Sequence, residues 1–330
     1  MTSLGEITRP VDLCDSSGRL NPAAVGWSRA PLHRANLTGR GRTKRWEYWA
    51  VASPRQVLGV TVSDLDYASL HAVYFLAPDG SETVVSKLVP LTTTPLPDRS
   101  GAAPVRVRVK GLSIDLMPVE GGMELAVASP RLSAQVRIDR PEGHEALGVV
   151  VPWSPTRFQY TVKENTLPAT GHVTVDGRVH PFGSDSWATL DHGRGRWPYR
   201  VTWNWGSGSG TVDGRTIGVQ VGGKWTDGTG STENALCVDG RIHYIGDELE
   251  WTYDRADWLR PWQVCTPHSE RVDLTFTPLH VRTDRINLGV LFNDTHQAFG
   301  VWTGTMRDDA GDDVRVDGVR GWAEEVVNRW

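Results

Sequence analysis

The chain is poor in cysteine, phenylalanine, tyrosine and lysine, and it has no long apolar run. Three cysteines (Cys14, Cys237 and Cys265) in 330 residues are odd in number, far apart and outside any C-x-x-C arrangement. A disulfide framework or zinc knuckle is therefore not expected; buried free thiols are. No stretch of about 18 apolar residues occurs, so no transmembrane helix is expected. The first fifteen residues carry Glu6, Arg9, Asp12 and Asp15 without an apolar core, which reads as no secretory signal and a cytoplasmic location. The 35 basic residues are outweighed by 39 acidic ones, and a net charge of −4 offers no basic surface for nucleic acid. There is no G-x-S-x-G elbow, no Walker A sequence, no dinucleotide fingerprint after a strand and no H-E-x-x-H. Ten histidines show no paired-ligand spacing, so neither a metal nor a cofactor is expected.

What is present is alternation. Residues 105–109 (VRVRV), 134–138 (AQVRI), 201–205 (VTWNW), 217–221 (IGVQV) and 272–276 (VDLTF) repeat with period two, giving one apolar and one wet face. Asp-Gly pairs at 176–177, 213–214, 239–240 and 317–318 tolerate the positive φ of tight hairpins, and each predicts a strand reversal. Helical signal is confined to one or two turns over 323–328. The class is all-β, mostly antiparallel. Residues 1–45, rich in Pro, Gly and Arg, read as an irregular lead-in. Proline-bearing breaks at 92–104 and 152–171 place a boundary near residue 170, with one sandwich or barrel domain over 46–170 and another over 171–330.

Against the shortage of other aromatics stand 15 tryptophans, beside only 7 Tyr and 6 Phe. Residues 182–205 (FGSDSWATLDHGRGRWPYRVTWNW) hold Trp187, Trp197, Trp203 and Trp205 among Asp191, His192, Arg194 and Arg196, with Asn204 between two of the indoles. These rings either pack a core or wall an apolar cavity. In such a cavity Asp191 would have its pKa raised by desolvation, keep its proton near neutral pH and donate it, with His192 as acceptor. Neighbours on a strand face opposite ways, so both reach one site only if Gly193 and Gly195 make this stretch a loop. Otherwise Asp191 caps a turn. A second cluster, residues 222–236 (GGKWTDGTGSTENAL), offers Trp225, Asp227, Glu233 and Asn234 from a glycine-rich loop, two further carboxylates and an orienting amide.

Residues 13–22 (LCDSSGRLNP), 44–49 (KRWEYW), 190–199 (LDHGRGRWPY), 203–205 (WNW), 227–234 (DGTGSTEN) and 296–300 (HQAFG) resemble the DUF2804 family, and such matches run from about 12 to 327. The family is one of unknown function, so the likeness supplies little chemistry. More distantly, Trp187, Asp191, His192 and Trp197 are similar to a segment of carotenoid hydratase-like and AttH-like proteins. That resemblance implies two lipocalin-like or sandwich β domains around an apolar cavity, the second (171–330) a lipocalin-like barrel. It also implies Asp191 as acid and the tryptophans as cavity wall.

The expected activity is a cofactor-independent hydration, cyclisation or isomerisation of a hydrophobic, isoprenoid- or polyene-type molecule. Asp191, His192, Glu233 and Asp227 are the candidate catalytic groups. Trp187, Trp197, Trp203, Asn204, Trp205, Trp225 and Asn234 would bind substrate, with Arg194 and Arg196 available to an anionic head group. The alternative is a carrier of a lipid or hydrophobic metabolite that leaves its cargo unchanged.

Overall fold

In the computed structural model, which describes residues 4–39, 42–287, 289 and 292–329, the alternating segments become two large antiparallel sheets. The first runs Glu82–Pro90, Ala68–Leu76, Val57–Asp64, Thr43–Ala52, Trp187–Arg196, Arg157–Val175, Leu132–Asp139, Gly122–Ala128, Leu112–Val119, Val105–Val109. The second runs Arg241–Ile245, Asn234–Val238, Arg215–Gly223, Arg200–Val212, Val319–Arg329, Phe292–Arg307, Val272–Asn287, Trp262–Cys265, Glu250–Thr252. Trp49, Leu58 and Phe75 from one end of the first sheet share a core with Ile114, Leu125 and Val136 from the other, because this sheet curls into a nearly closed barrel. The second is a half-barrel. Trp262 and Trp302, with Trp251, Tyr253 and Trp258 packed on them, fill its concave side.

Three of the four Asp-Gly pairs turn hairpins: Asp176, Asp213 and Asp239 adopt φ of 47°, 51° and 50°, each followed by a positive-φ glycine. The fourth does not. Gly318 links Asp313–Arg315 to Val319–Arg329, strands that both pair with Phe292–Arg307 and not with each other. The helical expectation over 323–328 also fails, since these residues lie in the Val319–Arg329 strand, where pairing on both sides overrides local propensity. Among the described residues the helical element is a 3-10 turn, Pro22–Ala24.

Residue 170 falls inside the strand Arg157–Val175. Its one proline, Pro168, does not end it. A bulge between Glu164 and Leu167, with Thr166 at φ 59°, shifts the register so that the strand bends and exchanges neighbours. The chain leaves the first sheet after Arg196 and enters the second at Arg200. The lead-in is less irregular than its composition: Val11–Asp12 pairs with His33–Arg34, Trp27–Ser28 with Leu147–Ser154, and Leu13 and Leu20 pack against Phe158 and Tyr160.

Candidate active site

Strand alternation aims every second side chain along the facing parts of the two sheets at the other sheet, and these surfaces enclose the site. On the first sheet Thr61, Tyr48, Asp191 and Lys163 are cross-strand partners in one row. On the second, Trp205, Glu324, Gln297 and Arg282 form another. All eight line one cavity of about 270 Å³.

The charged groups are paired across it. Lys163 Nζ lies 3.0 Å from Asp191 Oδ1 and 3.0 Å from Glu233 Oε2, and 4.3 Å from the centre of the Trp205 ring. Asp191 also accepts from Trp46 Nε1 at 3.1 Å and from the Thr161 hydroxyl at 3.2 Å. Glu233 accepts from Trp225 Nε1 at 2.6 Å. Burial works against the Lys163 charge, but Asp191 and Glu233 together hold its pKa above the ordinary lysine range. Two carboxylates share that one cation, and burial pushes the Glu233 pKa up.

Glu324 stands apart from this cluster. Its Oε1 accepts from Trp203 Nε1 at 2.9 Å and its Oε2 from Gln297 Nε2 at 2.8 Å. Burial raises its pKa to about 7, against the Trp203 hydrogen bond and the Lys163 charge, with Asp191 adding to the rise. Near neutral pH this carboxyl is therefore poised between proton donor and acceptor. Burial, reinforced by the Glu324 charge, also lifts the Tyr48 phenol above its usual range.

Indoles make the walls. Trp197 and Trp225 stack at 5.9 Å and 11°, while Trp46, Trp153 and Trp203 meet Trp197 edge-on at 5.4, 5.2 and 6.1 Å. Their N–H groups are held, Trp197 by Gln159 at 2.6 Å and Trp205 by Gln220 at 3.1 Å, which fixes the ring planes. Two glycines create the space. A Cβ on Gly193 would lie 2.1 Å from the Trp46 indole, and one on Gly222 would lie 2.2 Å from Glu233 Oε1.

Of the residues singled out from sequence, Asp191, Glu233, Trp197, Trp203, Trp205 and Trp225 meet at this cavity. The others do not. Residues 187–196 form a regular strand, so His192 faces the opposite side, into a separate cavity of about 140 Å³ with Arg140, His144 and Glu164. Burial, with Arg194 nearby, holds the His192 pKa well below the ordinary imidazole value. Arg194 shares that reverse face and donates to the carbonyls of Trp46 (2.7 Å), Gly193 (2.8 Å) and Pro97 (2.6 Å), with Glu47 3.5 Å away. Arg196 is tied to the carbonyls of Gly18 and Thr38. Asn204 bonds Tyr253 and the Glu324 carbonyl; Asn234 bonds Gly222 N and the Asp247 carbonyl. Asp227 is exposed and caps Lys224 N, and Trp187 begins its strand outside the lining.

Lys163, Glu324, Tyr48, Trp46, Gln297 and Arg282 are among the lining residues that sequence reasoning missed. The polar alternation Gln159, Thr161, Lys163 was a readable signal for a wet face on a buried strand. Glu324 was hidden by the helical reading of its segment. Among the described residues no three His, Cys, Asp or Glu side chains come together as metal ligands would, and no helix is long and apolar enough to cross a membrane.

Two antiparallel sheets, a nearly closed barrel and a half-barrel, facing each other across an indole-walled, ionisable cavity define a two-sheet β protein. CghA with Sch210972 superposes with a TM-score of 0.56 at 13% identity, over 87% of this chain and 88% of that one. An AttH-like protein from Nitrosomonas europaea gives 0.51 at 13% identity, over 86% and 92%. Kievitone hydratase from Nectria haematococca gives 0.47 at 10% identity, over 88% and 89%. The chain belongs to the DUF2804 family, a domain of unknown function, whose model matches residues 5–330. No curated protein matches it in sequence.

Proposed function

We propose that the protein binds a largely apolar small molecule of isoprenoid or polyene type between its sheets and promotes its hydration, cyclisation or isomerisation by proton transfer. One observation carries this reading: a carboxyl whose pKa burial raises to about 7, Glu324, faces the Lys163–Asp191–Glu233 cluster across a tryptophan-walled cavity. Glu324 gives its proton to an alkene carbon or an ether or carbonyl oxygen of the substrate. The positive charge that develops there is met by indole faces, each worth about 0.5–2 kcal/mol when desolvated. Asp191 or Glu233 then takes a proton from the attacking water or from a neighbouring carbon, and passage of that proton back to Glu324 through solvent restores the starting state. Asp191 thus moves from the acid expected by resemblance to an accepting role. The fold's occurrence in a structure of CghA with Sch210972 supports a small-molecule occupant.

A carrier is the second reading, favoured by the number of cavity polar groups already partnered within the protein. Organic extraction of the purified protein followed by mass spectrometry tests both. A recovered molecule that the protein converts on incubation, and Glu324→Gln does not, supports the enzyme. A molecule returned unchanged supports the carrier, and no apolar molecule from any preparation removes both.

A further inference from the structure

The inter-sheet face that makes the active cavity continues past it. Along Thr43–Ala52, Trp46 and Tyr48 line the cavity, Ala50 packs between the sheets, and Ala52 lines a second space. The same succession runs through Glu324, Trp322 and Arg320 on Val319–Arg329, and through Gln297 and Phe299 on Phe292–Arg307. One layer of side chains divides the two spaces. In it Tyr74 and Phe299 stack at 5.5 Å and 9°, and Trp205 meets Trp322 at 5.2 Å.

The second space is a cleft of about 450 Å³, within the range of small-molecule sites. Its apolar side is Val57, Leu76, Phe299 and Leu279, the last 61% exposed. A bulge between Pro278 and His280 re-aims the chain at this point. Its charged side is Arg55 and Arg320, and no Asp or Glu is among the described lining residues. His280, which also lines it, is bound to Glu82, and that carboxylate takes the Tyr74 hydroxyl at 3.0 Å as well. By contrast Arg194, Arg140 and Arg255 each have a carboxylate within 4 Å, whereas neither Arg55 nor Arg320 has one among the described residues. Two guanidinium groups without carboxylates, beside apolar side chains in a cleft, match an oxyanion attached to a hydrocarbon body.

We propose that this cleft is a second ligand site, for a carboxylate or similar oxyanion on a short apolar chain, held by Arg55 and Arg320 against Leu76, Leu279 and Phe299. It is separate from the tryptophan cavity and stands whether or not that cavity is catalytic. Decanoate is the probe, titrated calorimetrically into the full-length protein, with decanol as the uncharged control and inorganic phosphate as the bare anion.

Decanoate should bind at least about tenfold more tightly than decanol, since hydrogen bonds to charged groups exceed neutral ones by that order. Arg55→Gln with Arg320→Gln should raise the decanoate Kd by roughly thirtyfold or more, on the same basis of two charged partners lost. Ala52→Trp, which plugs the cleft from a half-buried position, should also abolish binding. No binding to the native protein, an unchanged Kd in the double arginine variant, or displacement by phosphate at equal concentration overturns the proposal. So does loss of binding in Trp225→Ala alone, because that places decanoate in the tryptophan cavity.

Discussion

Lys163 and Asp191 stand directly opposite each other on neighbouring antiparallel strands, and Lys163 Nζ, 3.0 Å from Asp191 Oδ1, is also 3.0 Å from Glu233 Oε2. One buried cation thus balances a buried carboxylate, Glu233, and a largely buried one, Asp191. Removing it in Lys163→Met should cost on the order of 3–5 kcal/mol at pH 8, the usual penalty for a buried charge left unpaired. Adding Asp191→Asn should restore part of the loss. Urea unfolding of the three proteins measures this, and a loss under about 1 kcal/mol would mean that the cluster is not electrostatically coupled as described.

Glu324 predicts how stability changes with pH. Its folded pKa, about 7, lies above the ordinary glutamate value of 4.5, so between those values the folded chain holds a proton that the unfolded chain has released. Stability is therefore unaffected by this group below about pH 4.5, falls as pH rises toward 7, and levels off beyond, by up to ~3 kcal/mol. In Glu324→Gln that decline should be flatter. If the proposed chemistry holds, turnover should fall above pH 7 as the proton is lost; a rate that climbs through this range would exclude Glu324 as the donor.

Gly193→Ala should act on the site through Trp46. The added methyl meets the indole at 2.1 Å, so the ring must move and give up its hydrogen bond to Asp191. A destabilisation of about 1–3 kcal/mol is expected, typical of overpacking in a tight core. The test is the near-ultraviolet circular dichroism of the folded variant. A native tryptophan signature would show that the ring had not shifted.

The arginines separate structural from ligand-facing roles. Arg194→Gln strips donors from three backbone carbonyls and a charge from buried Glu47, so thermal stability should drop while ligand affinity of the folded protein changes less than about twofold. Arg282 lines the cavity and stacks on Tyr74 at 4.4 Å, so Arg282→Gln should change ligand affinity severalfold with a smaller effect on the melting point. The reverse pattern would return Arg194 to the binding site.

Period-two alternation and Asp-Gly pairs were enough to read an all-β, antiparallel chain, because strands half-buried in a sheet must alternate and tight hairpins need positive φ. The clustering of tryptophans near Asp191 was legible in part for a similar reason: Trp203 and Trp205, two apart on one strand, share a face. The other half of the site was not. Glu324 meets Trp205 only through pairing between distant strands, and its segment has no local signature that separates strand from helix. Gly193 and Gly195 left a loop or a turn open, when Gly193 instead makes room for an indole from the strand beside it. The loop was one of two alternatives there; in the strand that forms instead, parity puts His192 and Arg194 together on the face away from the cavity.

Because the two rows of the cavity belong to different sheets, neither sheet contains a finished site. Trp46, Lys163 and Asp191 of the first sheet come within reach of Glu233 and Glu324 only when the sheets dock. Their separation along the chain makes this a high contact-order event, of the kind that closes late in folding. A ligand held there touches both sheets, so its binding free energy adds directly to their association. The occupant of the cavity is in that sense a joint between the halves, and the empty protein should open first along this seam.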